Sequence, residues 1–425
     1  MLVIKNGRVI DPVNNVDEVM DVVVDGDEIV KTGKNLGVDE LGSDARVIDA
    51  TGLVVSPGLV DSHVHFRDPG FTYKEDIYSG AKAAAKGGVT TVILMANTKP
   101  PVDNPETLKY VLDKGAETDI NILTTVNVTK GMRGKEIVDM EDLASKGAAG
   151  FTDDGIPIMD EAVLLEAMKR AKALNLPVAL HEEDPLFVKQ AGVNMGKVSE
   201  ELGYGGASHT AEDIMVARDC VLAMESGARV CMQHLSSKVS VEILRTFKKL
   251  GADVHGEATP HHFTLTEDAV LEYGTYARMN PPLRTQEDKE EIIKGIVDGT
   301  IDMIVTDHAP HSKEEKDRPM ANAPSGITGI ETSLALGIKS LVQPGHISLM
   351  KLIELMSANP LKFYNIEPEK IQAGQKADLV IFGENEEWVV KDYASKAVNS
   401  PFTGWRLPGK IHYTICKGKI VYENR

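Results

Sequence analysis

GLVDSHVHFRDPG, residues 58–70, sets Leu59, Val60, Val64 and Phe66 among two histidines and an arginine. Residues two apart on a β-strand share a face. Read as a strand, the stretch sends His63 and His65 to one interior side, with Arg67 next on that side. Two imidazoles converging on one interior point suit a divalent metal. The competing reading is a pair of hydrogen-bonded core histidines.

The flanking sequence decides what this strand belongs to. Over 57–365, apolar strand-like runs fall at 59–66, 88–96, 121–128, 148–153, 176–181, 228–235, 252–258 and 301–307. Amphipathic runs alternate with them at 73–86, 105–116, 136–146, 160–174, 209–226, 238–250 and 285–298, and 348–357 follows the last. Eight strands alternating with helices is the pattern of a (β/α)8 TIM barrel, an α/β fold. Both ends of the chain read differently. LVIKNGRVID (2–11), 21–34, 46–55, KADLVIFG (376–383) and 411–423 are strand-like and joined by Gly, Asp and Asn turns. The expected organisation is a small composite β-sandwich from 1–56 plus 366–425, and a barrel over 57–365.

A barrel of this kind carries its site at the C-terminal ends of the strands. Those ends hold His63, His65 and Arg67, then Asn97, Asp153 and Asp154, His181, His234, Glu257, and Asp307 with His308 and His311. Burying that many polar groups with no partner costs several kcal/mol, which favours a metal over a plain core. Asp307 directly follows the apolar run IDMIVT. Beside a metal, such a carboxylate can take a proton from water and pass it to a leaving group; otherwise it caps a helix. Arg67 can grip a carboxylate with two N–H groups, or form a salt bridge to Asp68 or Glu75. Asn97 is the second candidate anion reader. Asn280 sits in RMNPPLR (278–284), where prolines restrict the backbone. The polar segment 311–326 reads either as a lid or as a surface loop.

Composition narrows the partners. The 425 residues are 42% hydrophobic, enough for a large core. Lys and Arg total 46 against 64 Asp and Glu, a formal charge of −18, which argues against nucleic acid or an anionic membrane. No run approaches the ~18 apolar residues of a membrane span, and the N-terminus has no signal-peptide pattern. Three scattered cysteines read as reduced thiols, so a cytoplasmic setting is expected. Phosphate-cradling glycine loops and the Gly-x-Ser-x-Gly elbow are absent from the sequence.

Taken together, VSPGLVDSHVHFRDPG, FTDDG, MNPPLR and TDHAPH resemble the amidohydrolase superfamily, and within it the class I dihydroorotases. The likeness runs along essentially the whole chain. It implies one zinc held by His63, His65 and Asp307, and a second approached by Asp154, His181 and His234. It implies substrate-carboxylate contacts from Arg67, Asn97 and His311, and ring contacts from Asn280, Ser325 and Gly326, with His65 also near substrate. The implied reaction is reversible cyclisation of N-carbamoyl-L-aspartate to L-dihydroorotate and water, by a zinc-hydroxide mechanism with Asp307 as proton carrier. Related hydantoinases and allantoinases use a carboxylated lysine as a bridge; the fourth strand end here, GAAGFTDDG, has none. Those enzymes, and a non-catalytic scaffold bound to aspartate transcarbamoylase, are the alternatives. A homodimer is the default assembly. The chain departs from the usual pattern at MAN (95–97), HEED (181–184) and APSG (323–326), where the family commonly has MPN, HCED and APFG. None of the three changes removes an implied metal ligand.

Overall fold

The first barrel strand, Leu59–Val64, is buried at every position, as a strand covered on both faces must be. In the computed structural model, which describes residues 1–36 and 45–424, it pairs in parallel with Val89–Leu94, and that strand pairs with Asn121–Thr124. A second parallel group runs through Val178–Leu180, Val230–Met232, Val254–Ala258 and Met303–Ile304. Two narrow seams close the ring. Phe151 alone bridges Val126 and Val178, so the fourth strand is a single paired residue, and His308 bridges to Val64. All eight expected strand positions are therefore filled, but the fourth and eighth are much shorter than their apolar runs. At the eighth, the strand ends at Ile304, and the chain takes left-handed backbone at Asp307, φ 47°, before His308 pairs again.

The helices begin where local chemistry starts them. Asp76 caps Ile77–Lys86 in a capping box with Ser79, Asn104 caps Pro105–Ala116 with proline at the first turn, and Thr285 boxes Gln286–Asp298 with Asp288. These caps shorten the expected helical runs: 73–86 becomes Ile77–Lys86, and 136–146 becomes Met140–Ser145, capped by Asp139. Thr210–Ser226 and Gln286–Asp298 stop at glycines with positive φ, Gly227 and Gly299. Inside the ring, Ile93, Ala179, Cys231, Met303 and Val305 pack on Phe363 and Tyr364, which plug the end of the barrel remote from the site.

The chain ends share one nine-stranded sheet. Leu2–Asp11 pairs with Val16–Asp25 on one side. On the other side its first half pairs with Arg46–Asp49, and its second with Val54–Pro57. Val54–Pro57 also pairs with Leu379–Gly383, which joins the two ends of the chain just before the first barrel strand. The 388–407 stretch leaves this sheet. Val390, Phe402 and Leu407 pack with Leu265, Met279 and Ile327 of the barrel loops. No helix among the described residues is long and apolar enough to cross a membrane.

Candidate active site

Alternation along the first strand carries the His63 and His65 rings to the same end of the barrel, with centroids 5.5 Å apart. His63 Nδ1 is held by Glu257 at 2.9 Å. Its Nε2 is buried without a hydrogen bond, 3.5 Å from Asp154 and 3.7 Å from Asp307. His65 Nε2 is 2.9 Å from Asp307 and 3.5 Å from Asp154. His181 Nδ1 faces His234 Nε2 at 3.0 Å and Asp154 at 3.9 Å. All six expected ligands thus meet. Two compact triplets stand out: His63, His65 and Asp307, and His63, Asp154 and His234. His181 joins them through His234.

The electrostatics fit a cation. Burial alone would lower His63, but the Glu257 and Asp154 carboxylates raise it well above the usual imidazole value. Burial would raise Asp154, yet the rings of His63, His65 and His181 hold it far below the carboxylate range. Burial, with His181 and His63 beside it, pushes His234 well down. A buried ring nitrogen with no hydrogen bond, ringed by carboxylates just beyond bonding length, is the donor set a divalent metal takes. Glu257 on the far nitrogen of His63 is the orienting partner that metal-binding histidines need.

Arg67 does not continue the strand. Its φ is 60°, so the alternation that carries His63 and His65 ends before it, and a left-handed turn aims its side chain instead. His234 (φ 31°) and Asp307 (φ 47°) share this uncommon backbone, and such strain gathers at functional sites. Arg67 makes neither of the salt bridges that are the alternative to an anion-reading role. Asp68 is taken by Tyr110 and Lys114, and Glu75 by Ser79, Ser395 and His308. Arg67 Nε donates to the Pro310 carbonyl at 3.2 Å, and its Nη2 lies 3.4 Å from His311 Nε2. Asn97 spends both ends of its amide on His65 Nδ1, at 2.9 Å, and on Asp154, at 3.1 Å. Asn280 reaches Glu183 at 3.2 Å and His181 Nε2 at 3.4 Å. The Ser325 carbonyl meets His311 Nε2 at 2.9 Å. At Gly326 (φ 136°) a Cβ would lie 2.8 Å from that of Ala309, so only glycine fits the loop there.

Segment 311–326 is built in. Lys316 is fully buried and donates to the Pro324 and Gly326 carbonyls at 3.0 and 3.2 Å. Arg278 donates to the Met320 and Ala323 carbonyls. Asn399 Oδ1 accepts from the His311 backbone N–H at 3.0 Å, and its Nδ2 donates to Ala309 and Gly326. Sequence reading missed Glu183, Lys74, Lys316 and Asn399, and left Glu257 without a role. Only Glu257 carries a signal, its place at the end of a strand.

A model of the amidohydrolase family matches residues 54–421. The chain belongs to the amidohydrolase family. Within it, the chain is 59% identical over 423 residues to a dihydroorotase of Clostridioides difficile (strain 630), covering 100% of both. It is 49% identical over 427 residues to one of Clostridium acetobutylicum, again covering 100% of both. Among solved structures, an L-hydantoinase (dihydropyrimidinase) from Arthrobacter aurescens superposes with a TM-score of 0.87, at 24% identity, over 99% of this chain and 96% of that one. At that identity the likeness speaks for the shared fold, which is the expected barrel with a sheet-rich terminal region. The site of this chain is built of histidines and aspartates, with Asp154, and no lysine, at the fourth strand end.

Proposed function

We propose that this chain is a dihydroorotase, interconverting N-carbamoyl-L-aspartate and L-dihydroorotate plus water in de novo pyrimidine (UMP) synthesis. The observation that carries the reading is a His/Asp cluster suited to metal beside Arg67 and His311, whose side-chain nitrogens converge to 3.4 Å. Full-length relatives that bear the name dihydroorotase support it. His63, His65 and Asp307 would hold one zinc, and Asp154, His181 and His234 would approach a second. Bound zinc supplies Lewis-acid activation of water and of the ring carbonyl. Arg67 and His311 hold the substrate carboxylate, with Asn97 at its edge. Asn280 and the Ser325–Gly326 backbone orient the ring. Asp307 takes the proton of the attacking water and delivers it to the leaving ring nitrogen; cyclisation runs the same path backwards. Glu257, on Nδ1 of His63, keeps Nε2 of that ring facing Asp154 and Asp307, where it would serve as a ligand.

The proposed division of the chain is 1–56 with 366–425, against 57–365. The proposed setting is the cytoplasm, the proposed assembly a homodimer, and the candidate protein partner aspartate transcarbamoylase. The test is L-dihydroorotate hydrolysis by the purified protein, with metal content measured alongside. Turnover that chelation abolishes and zinc restores is expected. No turnover with zinc loaded, or faster turnover of hydantoin or allantoin, overturns the reading.

A further inference from the structure

Lys74 lies in the turn before the helix Ile77–Lys86, with only 11% of its side chain exposed. Its Nζ is 3.2 Å from His311 Nδ1 and 2.9 Å from Glu315 Oε1. Glu315 also accepts from the Tyr73 hydroxyl at 2.9 Å, and it closes a capping box with Ser312. Glu315 thus holds the ammonium against the imidazole.

An ammonium has three donors and no acceptor, and a neutral imidazole has one of each. Burial, with Arg67, Lys74 and Lys316 nearby, holds His311 well below the ordinary imidazole value, so its ring is neutral. Facing Lys74, Nδ1 must accept. Nε2 then carries the proton, and the Ser325 carbonyl at 2.9 Å receives it. The other tautomer would set Nδ1–H against the ammonium and a lone pair against that carbonyl. In return it would gain only a 3.4 Å contact from Arg67. Glu315 Oε2, the acceptor that tautomer would need, is 3.6 Å from Nδ1, beyond bonding length.

We propose that Lys74 is a positioning residue that fixes His311 as its Nε2–H tautomer, so that the single ring N–H, which the Ser325 carbonyl accepts in the free chain, is the donor that an anionic group of the substrate takes over beside Arg67. The substrate part of this statement rests on the dihydroorotase reading; the tautomer part does not. The experiment is nitrogen NMR of the zinc-loaded, substrate-free enzyme labelled in its histidine rings, with His311 assigned by its loss in His311→Gln. In the wild type, Nε2 is expected to be protonated and Nδ1 to show the shift of an acceptor. Lys74→Met is expected to mix the tautomers and to raise KM for L-dihydroorotate about tenfold with kcat nearly kept, the scale of one charged hydrogen bond. Lys74→Arg is expected to restore both. A wild-type His311 protonated at Nδ1 overturns the proposal whether or not the variants fold. So does a Lys74→Met enzyme with unchanged tautomer and KM. A wild type that ignores dihydroorotate defeats the dihydroorotase reading, while the ring-nitrogen spectrum still decides the role of Lys74.

Discussion

His63 and Arg67 stand four residues apart and do different work, and their surroundings say why. His63 is completely buried, with Glu257 on one nitrogen and carboxylates around the other. Arg67 is only partly buried, and its charge sits beside those of Asp307 and Asp154 without pairing to either. Glu257→Gln should therefore weaken metal binding about 10–100-fold, the usual cost of losing a partner that orients a ligand. Arg67→Ala should leave zinc content intact and raise KM for dihydroorotate by tenfold or more, the scale of a lost charged contact. Metal titration and steady-state kinetics on the two variants separate the effects. Zinc loss in Arg67→Ala would refute the division.

The 311–326 segment is the element whose behaviour the sequence reading left open between lid and surface loop. Burial, with the Arg278 charge nearby, pulls Lys316 from the ordinary 10.5 down to about 7. Between those values the unfolded chain holds a proton that the folded chain lacks, so this group makes stability rise with pH across that window. Lys316→Met removes the titration. The melting-temperature gap between wild type and Lys316→Met should move in favour of the wild type from pH 7 to about 9.5. A gap that stays constant would show that Lys316 does not titrate there.

At the scale of the molecule, the terminal sheet and the barrel are joined through Asp378. It accepts from Asn121 of the third barrel strand at 2.7 Å and from the Lys417 backbone at 2.5 Å, and its carbonyl accepts from Gly58 at 2.9 Å. Burial, with the Asp378 charge close by, pushes the Glu369 carboxyl up to about 9. A raised carboxyl contributes stability that is full below its ordinary 4.5 and is lost as pH climbs through about 9. Glu369→Gln stays neutral, so its melting temperature should fall less than that of the wild type between pH 6 and about 9.5. Parallel curves would exclude a titrating Glu369 at this seam.

Much of the site was legible because strand alternation and strand order are local properties of the chain. The period of two carried His63 and His65 to one side, and the eight apolar runs placed Asn97, Asp154, His181, His234 and Asp307 at one end of a barrel. The same rule failed at Arg67, where a left-handed residue breaks the period. It is also silent on contacts between distant segments. Glu257 meets His63 across 194 residues, Lys74 meets His311 across 237, and Asn399 meets His311 across 88. An ammonium and an amide look like ordinary surface groups until folding brings a partner to them, and a carboxylate at a strand end shows its place but not its partner. The sequence by itself determined the barrel and the kinds of ligand it presents. Only tertiary packing decided which nitrogen of each histidine is held, because that choice depends on partners no local period can specify.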